Sequence, residues 1–173
     1  MYKEHKALLW IVFFIVAIIT FIFDLHYSEI ASDAINVVAI ASAVYLAVYA
    51  GIQSSETLFN RLKNEPDRRL PGKSELGVIN TYIKYSLTIG FITMIISIIV
   101  ILLHTRFNES IDVDTHNLVS FIKALSATKI EPSPIVIYAQ RALSSLGMGT
   151  FAMSFVLMWE VGKFIVNRIA FSR

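Results

Sequence analysis

The chain has 173 residues, of which 55% are hydrophobic and only 16% are charged, and its formal net charge is +2. An average soluble domain has about 25% charged residues, whereas this chain has a mean hydropathy of +0.64. This composition excludes an ordinary soluble globule and a disordered chain, and the absence of cysteine excludes disulfides and thiolate metal sites.

Four segments without a charged side chain run through the sequence, at 7–23, 34–55, 85–105 and 142–159. They contain 17, 22, 21 and 18 residues, and a helix of about 20 apolar residues crosses the hydrocarbon of a bilayer. We therefore predict an all-α, polytopic membrane protein that forms a single domain over 1–173. Its four transmembrane helices are predicted at about 7–23, 34–55, 85–105 and 142–162.

Lysine and arginine alternate between the segments outside these spans. The N-terminus, the second connection and the tail hold two, six and three of them, whereas the first and third connections hold none and four. Basic residues near span ends are retained on the cytoplasmic side. We therefore predict a multi-pass membrane protein with its N- and C-termini in the cytoplasm. Because the chain is rich in isoleucine and lysine, we expect a bacterial protein, and the membrane is then the inner membrane.

The second connection is predicted to form a cytoplasmic helical hairpin over 54–84. Leu58, Phe59 and Leu62 share one helical face that continues the second span, and Pro66 ends this helix. The basic residues of the hairpin form a candidate docking site for a cytosolic partner or for lipid headgroups: Arg61, Lys63, Arg68, Arg69 and Lys73. Four acidic residues dilute this charge, so a solvated connector is the alternative.

The third connection, 106–134, is predicted to hold a short interfacial helix on the outer side of the membrane. Its apolar residues follow the i, i+3, i+4, i+7 spacing of one helical face: Leu118, Phe121, Ile122 and Leu125. Pro134 is then the first residue of the fourth helix, where its missing N–H costs nothing.

Small residues indicate how the spans pack. In the second span they recur at four-residue steps, and the fourth span has a comparable pair: Ala39, Ala43, Ala47 and Gly51, then Ser145 and Gly149. Lipid provides no hydrophobic drive for helix pairing, so close backbone approach through small residues does much of that work. We predict that these residues form helix-packing and homo-oligomer interfaces, although a single closed bundle is the alternative.

We find no nucleophile–base pair, phosphate-binding glycine loop or HExxH motif, and we expect neither enzymatic activity nor a cofactor. Glu160 is a candidate gate because an ionisable residue in a span is a functional hypothesis by default. Its position between Trp159 and Lys163 also fits an interfacial carboxylate. Three histidines fall on the predicted outer side, but their spacing matches no metal motif, so no metal is predicted: His26, His104 and His116.

Polar residues within the spans have two interpretations. In the first, they line a polar path through an oligomer. In the second, they form hydrogen bonds between the helices of a tight bundle. These residues are Asn36, Ser42, Gln53, Thr88, Thr93, Ser97 and Ser144.

The sequence combines three features of a known layout: four short spans that fill the chain, the charged hairpin 54–84 and the lack of catalytic residues. In this layout the chain resembles the small four-span membrane subunits of bacterial anti-phage defence operons, such as the membrane subunit of Kiwa. The resemblance implies a homo-oligomer in the inner membrane that perceives phage attack and works with a cytosolic, DNA-acting partner.

These features together predict a non-enzymatic, oligomeric membrane sensor or scaffold that recruits a cytosolic effector through its hairpin. The expected partners are further copies of the chain, the effector protein and membrane lipids, without direct nucleic-acid binding. The alternative is a pore-forming or membrane-depolarising effector or channel.

Overall fold

A computed structural model describes residues 1–67, 70, 72–107 and 134–167 of the chain. Over these residues the protein is all-α, with five helices: α1 (Lys3–Phe23), α2 (Ala31–Ser54), α3 (Glu56–Asn64), α4 (Glu75–Phe107) and α5 (Pro134–Ile165). A single 3₁₀ turn, Tyr27–Glu29, joins α1 to α2. The predicted interfacial helix lies outside the described residues.

Four of these helices are long and apolar enough to cross a membrane: Lys3–Phe23, Ala31–Ser54, Glu75–His104 and Ile137–Ile165. This confirms the prediction of an all-α chain with four candidate spans. The last two helices begin earlier than the uncharged segments 85–105 and 142–159, because a helix can continue through a charged residue. Lys84 and Arg141 lie within α4 and α5, and long side chains of this kind can extend toward water along the helix surface.

The predicted continuation of the second span into the next helix is wrong. α2 ends at Ser54, and Ser55 has extended backbone angles, with φ −100° and ψ 98°. The Ser55 hydroxyl accepts a hydrogen bond from the Leu58 N–H at 3.4 Å. Serine caps helix N-termini well because its side chain satisfies a free N–H of the first turn, so the chain starts a new helix here.

The spans are ordered α1–α5–α4–α2 in space. α5 packs between α1 and α4, and α2 packs mainly on the other side of α4. Among the described elements, the backbones of α1 and α2 are not in contact, although they are consecutive in the chain. The bundle therefore has α5 and α4 at its centre, with α1 and α2 at its two edges.

Two glycines of α5 allow aromatic side chains to approach its backbone. A Cβ atom on Gly147 would overlap the ring of Tyr27, and one on Gly149 would lie 2.8 Å from the ring of Phe13. The hydroxyl of Tyr27 shares a hydrogen bond of 2.7 Å with Ser97 Oγ of α4. Tyr27 thus links α5 to α4 at the end of the bundle where α1 ends.

The connection between α3 and α4 is closed by its own hydrogen bonds. The Asp67 N–H donates to the Lys73 carbonyl at 2.8 Å, and the Glu75 N–H donates to the Glu65 carbonyl at 3.0 Å. Gly72 adopts a positive φ of 87°, a conformation that glycine takes without steric cost. α3 itself buries Leu62 against the bundle, so α3 packs beside α4.

We expect Gly147→Ala to destabilise the protein, because its methyl group would meet the buried Tyr27 ring. Overpacking a core site costs about 1–3 kcal/mol. Gly162→Ala is the matched control in the same helix, since a Cβ atom there has nothing within 4 Å and alanine favours the helix by up to about 1 kcal/mol. Thermal unfolding in detergent distinguishes the two, and equal midpoints for both variants would contradict the packing.

Candidate functional site at the N-terminal end of the bundle

Polar side chains form a network at the end of the bundle where α1 begins, which we call the N-terminal end. Here Tyr2 precedes α1 with extended backbone angles, and its hydroxyl donates to Asp67 Oδ2 at 2.7 Å. The Tyr2 N–H donates to Tyr82 Oη of α4 at 3.4 Å. The residue in front of the first span is therefore bound both to the α3–α4 connection and to α4.

The same network continues through His5 into α5. His5 Nδ1 lies 2.7 Å from Tyr82 Oη and 3.3 Å from Glu160 Oε2. The other oxygen of Glu160 accepts from Lys163 Nζ at 3.3 Å. His5 thus connects α1 to both central helices, α4 and α5, and it does so with a single ring nitrogen.

Glu160, the candidate gate, lies inside this network. Its side chain is only 12% exposed, whereas that of Lys163 is 49% exposed. Because Glu160 and Lys163 are three residues apart on α5, they share one helical face. Lys163 also lies 5.1 Å from the centre of the Trp159 ring, and that ring is exposed. The structure therefore places Glu160 in contact with an imidazole and an ammonium group.

The predicted docking residues have different surroundings. Lys63 and Lys73 are exposed, whereas Arg61 is half-buried. The nearby Glu56 and Glu65 are exposed as well. Arg68 and Arg69 lie outside the described residues.

The small residues of the two spans face in different directions. All four of the α2 series are exposed on the outer face of the helix: Ala39, Ala43, Ala47 and Gly51. A Cβ atom on Gly51 would have nothing within 4 Å. Ser145 and Gly149, in contrast, are buried within the bundle, and Gly149 faces Phe13 of α1. The longer series is therefore not used to close the single chain.

Two of the polar span residues bond within the bundle. Thr93 Oγ1 lies 3.4 Å from Ser154 Oγ of α5, and Ser97 is bonded to Tyr27. Burial raises the pKa of Tyr27, an effect that the bond to Ser97 partly offsets. The other five are not fully buried. Asn36, Gln53 and Thr88 are exposed, and Ser42 and Ser144 are half-buried.

The opposite end of the bundle has a cavity of about 120 Å³ that is lined by both apolar and polar side chains. Arg141 donates to Asp24 Oδ1 at 2.6 Å there, and His26 and His104 also line the cavity. Within the ranges that the structure covers, no group of three or more His, Asp or Glu side chains could hold a metal ion. His116 is not among the described residues.

Sequence reasoning identified Glu160 and missed its partner His5, together with Tyr82 and Tyr2, which continue the network. The one signal that could have found them is the presence of polar aromatic and imidazole side chains at span ends, which is common in membrane proteins. No protein-family model, curated protein or solved structure matches this chain. The network offers two carboxylates, an imidazole, an ammonium group and two phenols, which are groups that bind ions and exchange protons.

We expect Tyr82→Phe to lower the unfolding midpoint in detergent, because it removes the hydroxyl that joins Tyr2 to His5. A lost hydrogen bond of this kind costs about 1 kcal/mol. Tyr85→Phe is the matched control, since Tyr85 lies in the same helix and is exposed. If Tyr85→Phe lowered the midpoint as much as Tyr82→Phe, the network would not be what stabilises this end.

Proposed function

We propose that this protein is a non-enzymatic membrane scaffold or sensor subunit that binds a cytosolic effector at the N-terminal end of its helix bundle. The observation that carries the proposal is the packing of α3 against the bundle at that end. α3 buries Leu62 and leaves Lys63 exposed, and Lys73, just before α4, is exposed as well. A charged helix that is already packed beside the spans is suited to binding a soluble protein, because little conformational entropy is lost on docking.

The distribution of basic residues supports placing this end in the cytoplasm of a bacterial cell. Eleven of the 15 lysine and arginine residues belong to the N-terminus, the second connection and the tail. Such residues favour the cytoplasmic side of the inner membrane. In this orientation Lys63 and Lys73 face both the cytosol and the anionic lipids of the inner leaflet.

The exposed face of α2 supports a homo-oligomer. Ala39, Ala43, Ala47 and Gly51 leave a smooth face that no other described helix covers. In a membrane, such a face allows a second helix backbone to approach closely. The likeness in layout to the small membrane subunits of anti-phage defence operons supports the same arrangement, with a phage-related stimulus and a DNA-acting partner.

A pore is the alternative function, and one observation favours it. Asn36 is exposed on the same face of α2, three residues before Ala39 and seven before Ala43. If copies of α2 surrounded a central path, this amide would line it. Two other polar residues, Thr93 and Ser97, are used inside the single chain and would not contribute.

We expect the double variant Ala43→Leu, Ala47→Leu to dissociate the oligomer, because two bulky side chains would separate the facing helices. Light scattering after size-exclusion chromatography in detergent measures the mass. Ala142→Leu is the matched control, since Ala142 is exposed on another helix, α5. An unchanged mass for the double variant would reject the α2 interface, and ion flux in liposomes that this variant alters would favour the pore.

We expect the double charge reversal Lys63→Glu, Lys73→Glu to abolish recruitment of the effector while leaving the oligomer intact. The measurement is co-purification of a soluble protein encoded next to this chain, expressed together with it. Lys84→Glu is the control, because Lys84 is exposed at the same end but belongs to α4. Full recruitment by the double variant would count against the docking surface.

A further inference from the structure

The N-terminal end of the bundle contains a polar cavity of about 300 Å³ between α1, α4 and α5. His5, Tyr82, Glu160, Lys163 and Asn167 are among the residues that line it. A cavity of this size, rich in polar side chains, is at the scale of small-ligand sites. Its walls come from three different helices, so its shape depends on the folded bundle.

Two side chains of the cavity have hydrogen-bond donors that are not used up by contacts within the described part of the chain. His5 is not one of them, because it meets Tyr82 and Glu160 through Nδ1, and a neutral ring with its proton on Nδ1 has an acceptor at Nε2. Lys163 donates one of its three N–H groups to Glu160. The side-chain amide of Asn167 bonds to no described residue.

Glu160 holds Lys163 in place. Each of its oxygens contacts one neighbour, Oε2 with His5 and Oε1 with Lys163. Its negative charge is therefore compensated by the adjacent ammonium group, and it is mostly buried at 12% exposure. The remaining N–H groups of Lys163 and the side-chain NH₂ of Asn167 are donors, and donors recognise anions.

The cavity lies at the level where α1 begins and α5 ends. The exposed Trp159 ring beside Lys163 marks this level as a membrane–water interface, because tryptophan is enriched there. Phospholipid phosphates occupy the same depth, and basic pockets between spans bind such headgroups.

We propose that this cavity binds a phosphate group, with Lys163 and Asn167 as its donors and Glu160 as the residue that positions Lys163. The phosphate belongs to a phospholipid headgroup or to a free phosphate in solution. The site is separate from the docking and oligomer surfaces proposed above, so evidence against one of these three proposals does not reject the other two.

The test uses the purified full chain in detergent with three probes: short-chain phosphatidylglycerol, diacylglycerol with the same tails, and inorganic phosphate. Binding is followed by the fluorescence of Trp159, in a Trp10→Phe background that leaves it as the sole tryptophan of the chain. We expect saturable binding of phosphatidylglycerol and none of diacylglycerol. Saturation by inorganic phosphate as well would identify free phosphate as a sufficient ligand, and its absence would assign the site to a lipid headgroup.

Two variants test the donors. We expect Lys163→Gln to weaken phosphatidylglycerol binding at least tenfold, because a hydrogen bond to a charged group is lost. Asn167→Ala should weaken it severalfold, and the side chain of this residue bonds to no other residue that the structure describes. Lys84→Gln is the matched control, since Lys84 is exposed at the same end and does not line the cavity.

Three results would overturn the proposal. Equal binding of diacylglycerol and phosphatidylglycerol would show that the tails alone are recognised. Equal affinities of Lys163→Gln and Lys84→Gln would remove the central donor from the site. If Lys163→Gln unfolded, unchanged binding by Asn167→Ala would be decisive against the cavity.

Discussion

The packing of other elements against α5 is the constraint on which the bundle depends. Lipid provides no hydrophobic drive for helices to associate, so stability comes from close packing and from hydrogen bonds between them. Gly149 admits Phe13 of α1, and Gly147 admits the ring of Tyr27, whose hydroxyl reaches Ser97 on α4. Two missing side chains on one helix therefore determine how closely α1 and the turn between α1 and α2 approach it.

The sequence predicted the helices well because hydropathy is a local property. Uncharged runs of 17 to 22 residues identify four candidate spans without any knowledge of their neighbours. The break at Ser55 was missed, since the apolar spacing of Leu58 and Leu62 also fits a continuous helix and only the serine hydroxyl decides between the two. Small residues marked faces of close approach, but the sequence could not say that Gly149 faces α1 while Ala43 faces outward.

The candidate site was harder to predict, because its members are far apart in the chain. His5 and Glu160 are separated by most of the sequence, and their contact at 3.3 Å follows from the packing of α1 on α5. Polar residues near span ends are common, and each one alone has an ordinary explanation. Only the folded arrangement shows that Tyr2, His5, Tyr82 and Glu160 belong to one network, and that this network touches the connection after α3 through Asp67.

The spatial order α1–α5–α4–α2 also affects biosynthesis. Among the five described helices α1 is translated first, yet the helix against which it packs, α5, is translated last. Until α5 emerges from the ribosome, α1 lacks its native neighbour, and α2 cannot substitute because the two do not pack together. The bundle is therefore completed only after α5 has been made, and a nascent chain that stops before α5 leaves α1 without the helix on which it packs.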